Sequence, residues 1–228
     1  MRRISHFRVP QGFAARAAGT LLALLLAWPG TAPARQAEDG CGRSVDIPDA
    51  VARVVTAGGT PSLNAFLCAL GKGDAIVNGL PQGLHGGQWK FQGVFAPQVE
   101  NAPVVSAMGP AWTPDLEALM ALPSDLVLVE SSATADMLAA RGINAYCLSW
   151  RDPDAVTETI TRLGDVMGAK EQAARLLAAF AANKERVARA TADIPPDKRL
   201  KALYIRADGL MLPMVATARF LVEQAGGV

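Results

Sequence analysis

The chain has 228 residues and a formal net charge of +1; half of its residues are hydrophobic and 19% are charged. That balance excludes a disordered chain, which buries too little apolar surface to offset its ordering entropy, and the length is ample for a hydrophobic core. Aromatics make up only 6% of the residues and no long basic run lies beyond residue 35, which excludes nucleic acid as a partner.

Arg2, Arg3, Arg8 and Arg16 precede the apolar stretch from Ala17 to Trp28, which stops at Pro29-Gly30. A basic region feeding a short apolar one is the pattern of an export signal, and the stretch falls short of the roughly 20 residues a bilayer-spanning helix needs. Ala32-Pro33-Ala34 supplies the small-x-small pattern read by signal peptidase, so residues 1–34 are expected to be removed and the remainder to lie in the periplasm. Cys41 follows Glu38-Asp39-Gly40 and lacks the small apolar residues that precede a lipidated cysteine. Cys41, Cys68 and Cys147 allow three single pairings, each leaving one thiol over, and their spacing excludes a CxxC motif. Cys68 and Cys147 sit in apolar segments and read as small buried hydrophobes.

From Arg53 onward, short β-branched runs alternate with helical patterns, as in βα units around a mostly parallel sheet. Val54 to Ala57 reads as a first strand. A helix starts at Pro61, puts Leu63, Phe66, Leu67 and Leu70 on one face, and ends at Gly71. Ala75 to Asn78 reads as a second strand, followed by a long connection from Gly79 to Asn101, a length that is usually functional. Pro103 to Val105 reads as a third strand. Thr113-Pro114-Asp115 reads as a helix start with a hydroxyl N-cap, proline at N1 and an acid in the first turn.

Asp125 to Val129 reads as a fourth strand, 133–141 as a helix, and Ile143 to Leu148 as a fifth strand, completing one α/β lobe. Asp152 caps a helix whose Val156, Ile160, Leu163 and Met167 repeat at helical spacing. From Lys170 to Ala192 there is neither Gly nor Pro, so a single rod of roughly 33 Å is expected. Ile194-Pro195-Pro196-Asp197 breaks it, Lys201 to Ile205 reads as a strand, and 216–225 as a helix.

Several runs then match, in order, a known pattern: Gly42-Arg43-Ser44-Val45-Asp46-Ile47-Pro48, Arg53-Val54-Val55, Ala69-Leu70-Gly71, Pro114-Asp115-Leu116-Glu117-Ala118-Leu119 with Asp125-Leu126-Val127-Leu128, Gly142-Ile143, and Leu163-Gly164 with Gly168. The chain resembles the periplasmic substrate-binding proteins of ABC importers for siderophores, haem and cobalamin. The resemblance implies an α/β fold of two lobes joined by one rigid helix, with ligand held between the lobes. It divides the chain into a signal at 1–34, a first lobe at 42–152, a helical connector at 153–192 and the start of a second lobe at 197–228. In the resembled family the second lobe equals the first in size, so this chain is expected to carry only part of it. Glu117 and Glu223 stand where that family places exposed glutamates that pair with arginines of the permease.

Ligands of open α/β sheets gather at the carboxyl ends of the strands. That rule selects Thr60 to Ser62, the His85 to Lys90 segment, Trp112, Glu130 to Ser132, and Ser149 to Arg151. A flat anionic chelate would be met by indole faces and cations, so Trp89, Lys90, Trp112, Trp150 and Arg151 are the preferred set, with Ser62, His85 and Ser131 beside them. No metal cage or cofactor is expected, because His85 is the single histidine after residue 34 and no carboxylate cluster joins it; it reads as a solvent-facing loop residue, or as an axial ligand to a metal already held by a chelator. No nucleophile elbow, phosphate loop or dinucleotide loop is present, so the chain reads as a monomeric carrier of a metal chelate, handing it to an inner-membrane permease, and not as an enzyme. The same pattern accommodates a periplasmic sensor or a chelate carrier without a transport role.

Overall fold

The computed structural model describes residues 34–106, 113–205 and 215–228. The expected signal segment and Trp112 lie outside them. The chain opens with an antiparallel hairpin of β1 (Ala34–Glu38) and β2 (Ser44–Pro48), in register Arg35↔Ile47 and Ala37↔Val45. A three-stranded parallel sheet follows, in the order β3 (Val54–Thr56), β4 (Leu126–Val129) and β5 (Ala145–Cys147).

The strands are apolar on both faces because helices cover both. Val54, Leu126, Leu128 and Tyr146 pack on one side with Leu63, Leu67 and Leu163; Val55, Val127, Val129 and Cys147 pack on the other with Leu119, Ala135 and Leu138. The first side is covered by α1 (Thr60–Ala69) and later by α5 (Pro153–Val166), and the second by α3 (Leu116–Ala121) and α4 (Ser132–Ala139). Leu63, Leu67 and Leu138 are fully buried, each contributing about 2 kcal/mol relative to exposure.

The hairpin is fastened to the outer side of β5. The Asp39 carboxylate is buried and accepts from the backbone N–H groups of Cys41 (2.9 Å), Arg43 (2.8 Å) and Cys147 (3.1 Å). Gly40 N donates to the Cys147 carbonyl at 2.8 Å, and a Cβ at Gly40 would stand only 2.9 Å from Ser149 N. A Cys41–Cys147 disulfide closes the junction and leaves Cys68 as a free thiol, so Cys147 is buried as expected but is a cross-link and not a simple hydrophobe.

α5 (Pro153–Val166) begins on the Asp152 N-cap, whose Oδ1 accepts from Ala155 N at 2.8 Å. It turns through the left-handed Gly168 (φ +61) into α6 (Lys170–Thr191). The two helices approach closely where a Cβ at Gly164 would meet the Ala173 Cβ at 2.6 Å. α6 is the uninterrupted rod of 22 residues that the sequence predicts, about 33 Å long. Its first two turns pack on the core, with Ala173 buried and Leu176 and Leu177 half-buried, whereas residues 178–190 are exposed. α7 (Ala216–Gln224) runs alongside in the same direction, with Lys184 Nζ 5.4 Å from the Phe220 ring and Thr191 Oγ1 donating to the Gln224 carbonyl.

Four expectations are corrected. Residues 75–78 form no strand: a 3-10 turn covers Gly73–Ala75, one parallel bridge joins Val54 to Ile76, and the Asn78 side chain then replaces a peptide group by bonding both Thr56 N and Thr56 O. Residues 103–105 are not a strand either; the segment is used up in single bonds from Gly79 N to Pro103 O and from Asp115 N to Val105 O, each at 2.8 Å. The cap of α3 is Asp115 and not Thr113, because the extended Asp115 carboxylate reaches Ala118 N while Pro114 bridges to Ser106. Residues 201–205 make no strand among the described residues; Leu200 and Ala202 pair instead with the backbone of Val228. The expected five-stranded lobe is therefore a three-stranded sheet with one added bridge.

Candidate functional site

The parallel register of β3, β4 and β5 (Thr56↔Leu128, Val129↔Cys147) brings their exits to one rim of the sheet. The first exit is the Gly58-Gly59 turn. Gly58 has φ +104, which favours glycine, and its N–H donates to Ser106 Oγ at 2.9 Å. α1 starts at once, with Thr60 Oγ1 turned inward to the Thr56 carbonyl and Ser62 half-buried at the rim.

Glu130 leaves β4 half-buried, and its Oε2 accepts from Gly59 N at 2.7 Å. A Cβ on Gly59 would overlap this carboxylate, so the glycine is what lets the two exits touch. Burial pushes the Glu130 carboxyl above its ordinary range, and the Gly59 hydrogen bond partly offsets that. No Lys, Arg or His nitrogen among the described residues forms an ion pair with it. Next to it, Ser131 caps α4 through Thr134 N, and Ser149 is tied to α5 by a 2.6 Å bond from Thr159 Oγ1 to its carbonyl.

Trp150 is half-buried, its ring 5.8 Å from Phe66 of α1 and packed against the core. Arg151 is exposed, with Nε 3.2 Å from Asp152 Oδ2. The Asp152 carboxyl is held below its usual range by the Ala155 N–H bond and by Arg151. The rim therefore gathers Ser62, Ser131 and Trp150 from the predicted set, with Arg151 committed to the start of α5.

The stretch from Gly79 to Asn101 is not structureless; it winds through three 3-10 turns and the single-turn helix α2 (Gln92–Phe95). His85 departs from the solvent-facing reading, because Nε2 lies 2.9 Å from the Leu80 carbonyl and Nδ1 2.8 Å from Glu100 Oε2. Trp89 lines an open groove of about 560 Å³ with Ala65, Cys68, Phe91, Phe95 and Gln172. The Lys90 ammonium sits 5.0 Å from the Phe91 ring centroid. This groove is on the flank of α1 and reaches α6, whereas Trp150 rests on Phe66; Trp89 and Trp150 do not form one platform among the described residues. Burial pushes the Cys68 thiol up, away from the reactive thiolate.

A feature the sequence reading missed positions both areas. Thr56, Asn64, Asn78 and Gln92 form a buried chain of polar groups: Thr56 Oγ1 to Asn64 Oδ1 at 2.7 Å, Asn64 Nδ2 to Gln92 Oε1 at 3.0 Å, and Gln92 Nε2 to the Pro61 carbonyl at 2.6 Å. Polar residues with no charged neighbour carry no sequence signal of this kind, since the partners lie 8 to 31 positions apart. Glu117, in the first turn of α3, and Glu223, near the end of α7, are both exposed. Among the described residues no three His, Cys, Asp or Glu side chains are grouped to hold a metal ion, and no helix is long and apolar enough to cross a membrane.

No family model and no curated protein matches the chain. Solved structures do. A periplasmic solute-binding protein from Veillonella parvula superposes with a TM-score of 0.63 at 19% identity, over 75% of this chain and 52% of its own. The molybdate periplasmic binding protein MolA of Haemophilus influenzae gives 0.66 at 23% identity, over 85% and 64%. The heme-binding protein HmuT gives 0.61 at 23% identity, over 86% and 62%. The chain thus spans between 52% and 64% of the length of these structures, and it has the fold of the periplasmic solute-binding proteins of ABC transporters over that span.

Proposed function

Starting from that fold, we propose that the chain is the extracytoplasmic solute-binding component of an ABC importer, capturing a metal chelate and delivering it to a membrane permease. The observation that carries the reading is the pairing of a common rim of strand exits with a rod, α6, whose residues 178–190 run exposed beyond its core-packed start and meet α7. A helix of that kind suits a stiff connector between lobes. Structures of this fold that bind molybdate and heme favour a metal-bearing compound as the ligand class.

In this reading residues 1–34 are a cleaved export signal, 42–152 the first lobe, 153–192 the connector and 197–228 the beginning of a second lobe, and the protein works in the periplasm. Ser62, Ser131 and Trp150 would meet the ligand at the rim, Trp89 and Lys90 from the flank, and Arg151 and His85 only after giving up their present partners. Glu117 and Glu223 would dock on permease arginines; exposed ion pairs of this kind steer association more than they add affinity.

Titration of the exported protein with ferric siderophores, haem and cobalamin, followed by tryptophan fluorescence, tests the reading. Quenching by one class with a Kd of about 1 μM or below is expected, with Trp150→Phe removing most of the signal. Silence across the panel would overturn it. Glu117→Lys with Glu223→Lys should abolish uptake in cells while leaving the quenching intact.

A further inference from the structure

We propose that Glu130 sets the charge class of the ligand: the strand-exit rim takes a cationic or neutral hydrogen-bond-donating group and rejects an anionic one. This rests on the rim being the ligand site of the proposed function. It departs from the anionic chelate that tryptophans beside Lys90 and Arg151 suggest in the sequence.

The helix starts around an open α/β sheet draw anions when their N–H groups are free. Here the chain fills most of them from within. At α1, Gly59 N is taken by Glu130, Thr60 N by the Gly58 carbonyl, Pro61 has no N–H, and Ser62 N is taken by the Gly59 carbonyl. At α4, Thr134 N goes to Ser131 Oγ and Ala135 N to the Ser131 carbonyl, while the N–H groups of Ser132 and Ala133 have no partner among the described residues. At α5, Pro153 again has no N–H and Ala155 N goes to Asp152. Carboxylates meet two of these three starts, and because Asp152 is paired with Arg151, the unpaired negative charge at the rim is that of Glu130.

The cations nearby do not reverse this. Arg151 is bound to Asp152, and Lys90 lies over Phe91 on the flank. Glu130 itself is half-buried and accepts from Gly59 through Oε2, while Oε1 has no hydrogen-bond partner among the described residues. A partly desolvated carboxylate with a vacant oxygen attracts a donor or a cation and repels an anion, and such repulsion is how a site discriminates between ligands of similar shape.

The test compares three ferric complexes by calorimetry on the exported protein and on Glu130→Gln, which keeps an oxygen acceptor for Gly59 N. The probes are the complex of desferrioxamine B, which carries a free ammonium, neutral ferrichrome, and an anionic tris-catecholate. The wild type should bind the ammonium-bearing complex about tenfold or more tighter than the tris-catecholate, and Glu130→Gln should erase most of that gap. A tris-catecholate bound as tightly as the ammonium complex, or an equal shift of all three in the variant, overturns the assignment and leaves the importer reading standing. Binding of none of them removes this assignment, and silence towards haem and cobalamin as well removes the importer reading with it. Should the variant fail to fold, the wild-type preference read at rising salt takes its place: it must shrink as charges are screened, and a preference indifferent to salt overturns the proposal.

Discussion

Removing the Cys41–Cys147 disulfide should cost this protein a large share of its stability. The bridge spans 106 positions, and the chain-entropy relation for a loop of that size gives about 4.8 kcal/mol at 25 °C, drawn from the unfolded state. Domains of this size hold a net stability of about 5–15 kcal/mol. Cys41 is exposed, so Cys41→Ser leaves the packing alone, and the Asp39 and Gly40 contacts to β5 persist in the folded state without restraining the unfolded one. Near the melting point, about 2–4 °C accompanies each kcal/mol in a chain of this length, so Tm by circular dichroism should fall about 10–20 °C on Cys41→Ser or on reduction. Thiol titration of the denatured, oxidised protein should find one free group, Cys68. Melting curves for Cys41→Ser and the oxidised wild type within about 2 °C of each other, or more than one free thiol, would refute the reasoning.

Asn78→Ala should lower stability by about 1–3 kcal/mol in urea unfolding, because it leaves the buried Thr56 N–H without a partner, while the Thr56 carbonyl keeps its bond from Thr60 Oγ1. Gly59→Ala should destabilise by about 1–3 kcal/mol through overlap with the Glu130 carboxylate, and a second change, Glu130→Ala, should relieve part of it. Tyr146 donates to the Glu38 carbonyl, and burial pushes its phenol up to about 12. A raised folded value favours the protonated form, so its contribution is whole below pH 10 and is lost as pH rises towards 12; the unfolding midpoint should fall across that window in the wild type and less in Tyr146→Phe.

The helices were the legible part of this sequence. α1, α5, α6 and α7 appear within a residue or two of their predicted spans because each carries a periodic apolar face, a proline start or an unbroken run of good helix formers. Short apolar runs were not legible as strands. Ala75 to Asn78 and Pro103 to Val105 have strand-like composition, yet whether they join a ladder depends on what the neighbouring backbone offers, and at β3 a side-chain amide offered more. The hairpin of β1 and β2 was missed since Arg35 to Glu38 alternates too weakly to signal a strand. In the site, Ser62, Ser131 and Trp150 follow from strand-end geometry. The meeting of Glu130 with Gly59 does not, because the residues lie 71 positions apart and only the sheet register joins them. Trp89 and Trp150 belong to one expected set of indole faces and cations, but α1 separates the surfaces they occupy.

A small parallel sheet exposes two outer strands, and each is a template on which a foreign chain can polymerise. Neither is open here: the Asn78 amide occupies the groups of Thr56 on one side, and Gly40 with the Asp39 carboxylate occupies those of Cys147 on the other. Such seals guard against amyloid-like stacking and domain exchange at almost no cost in chain length.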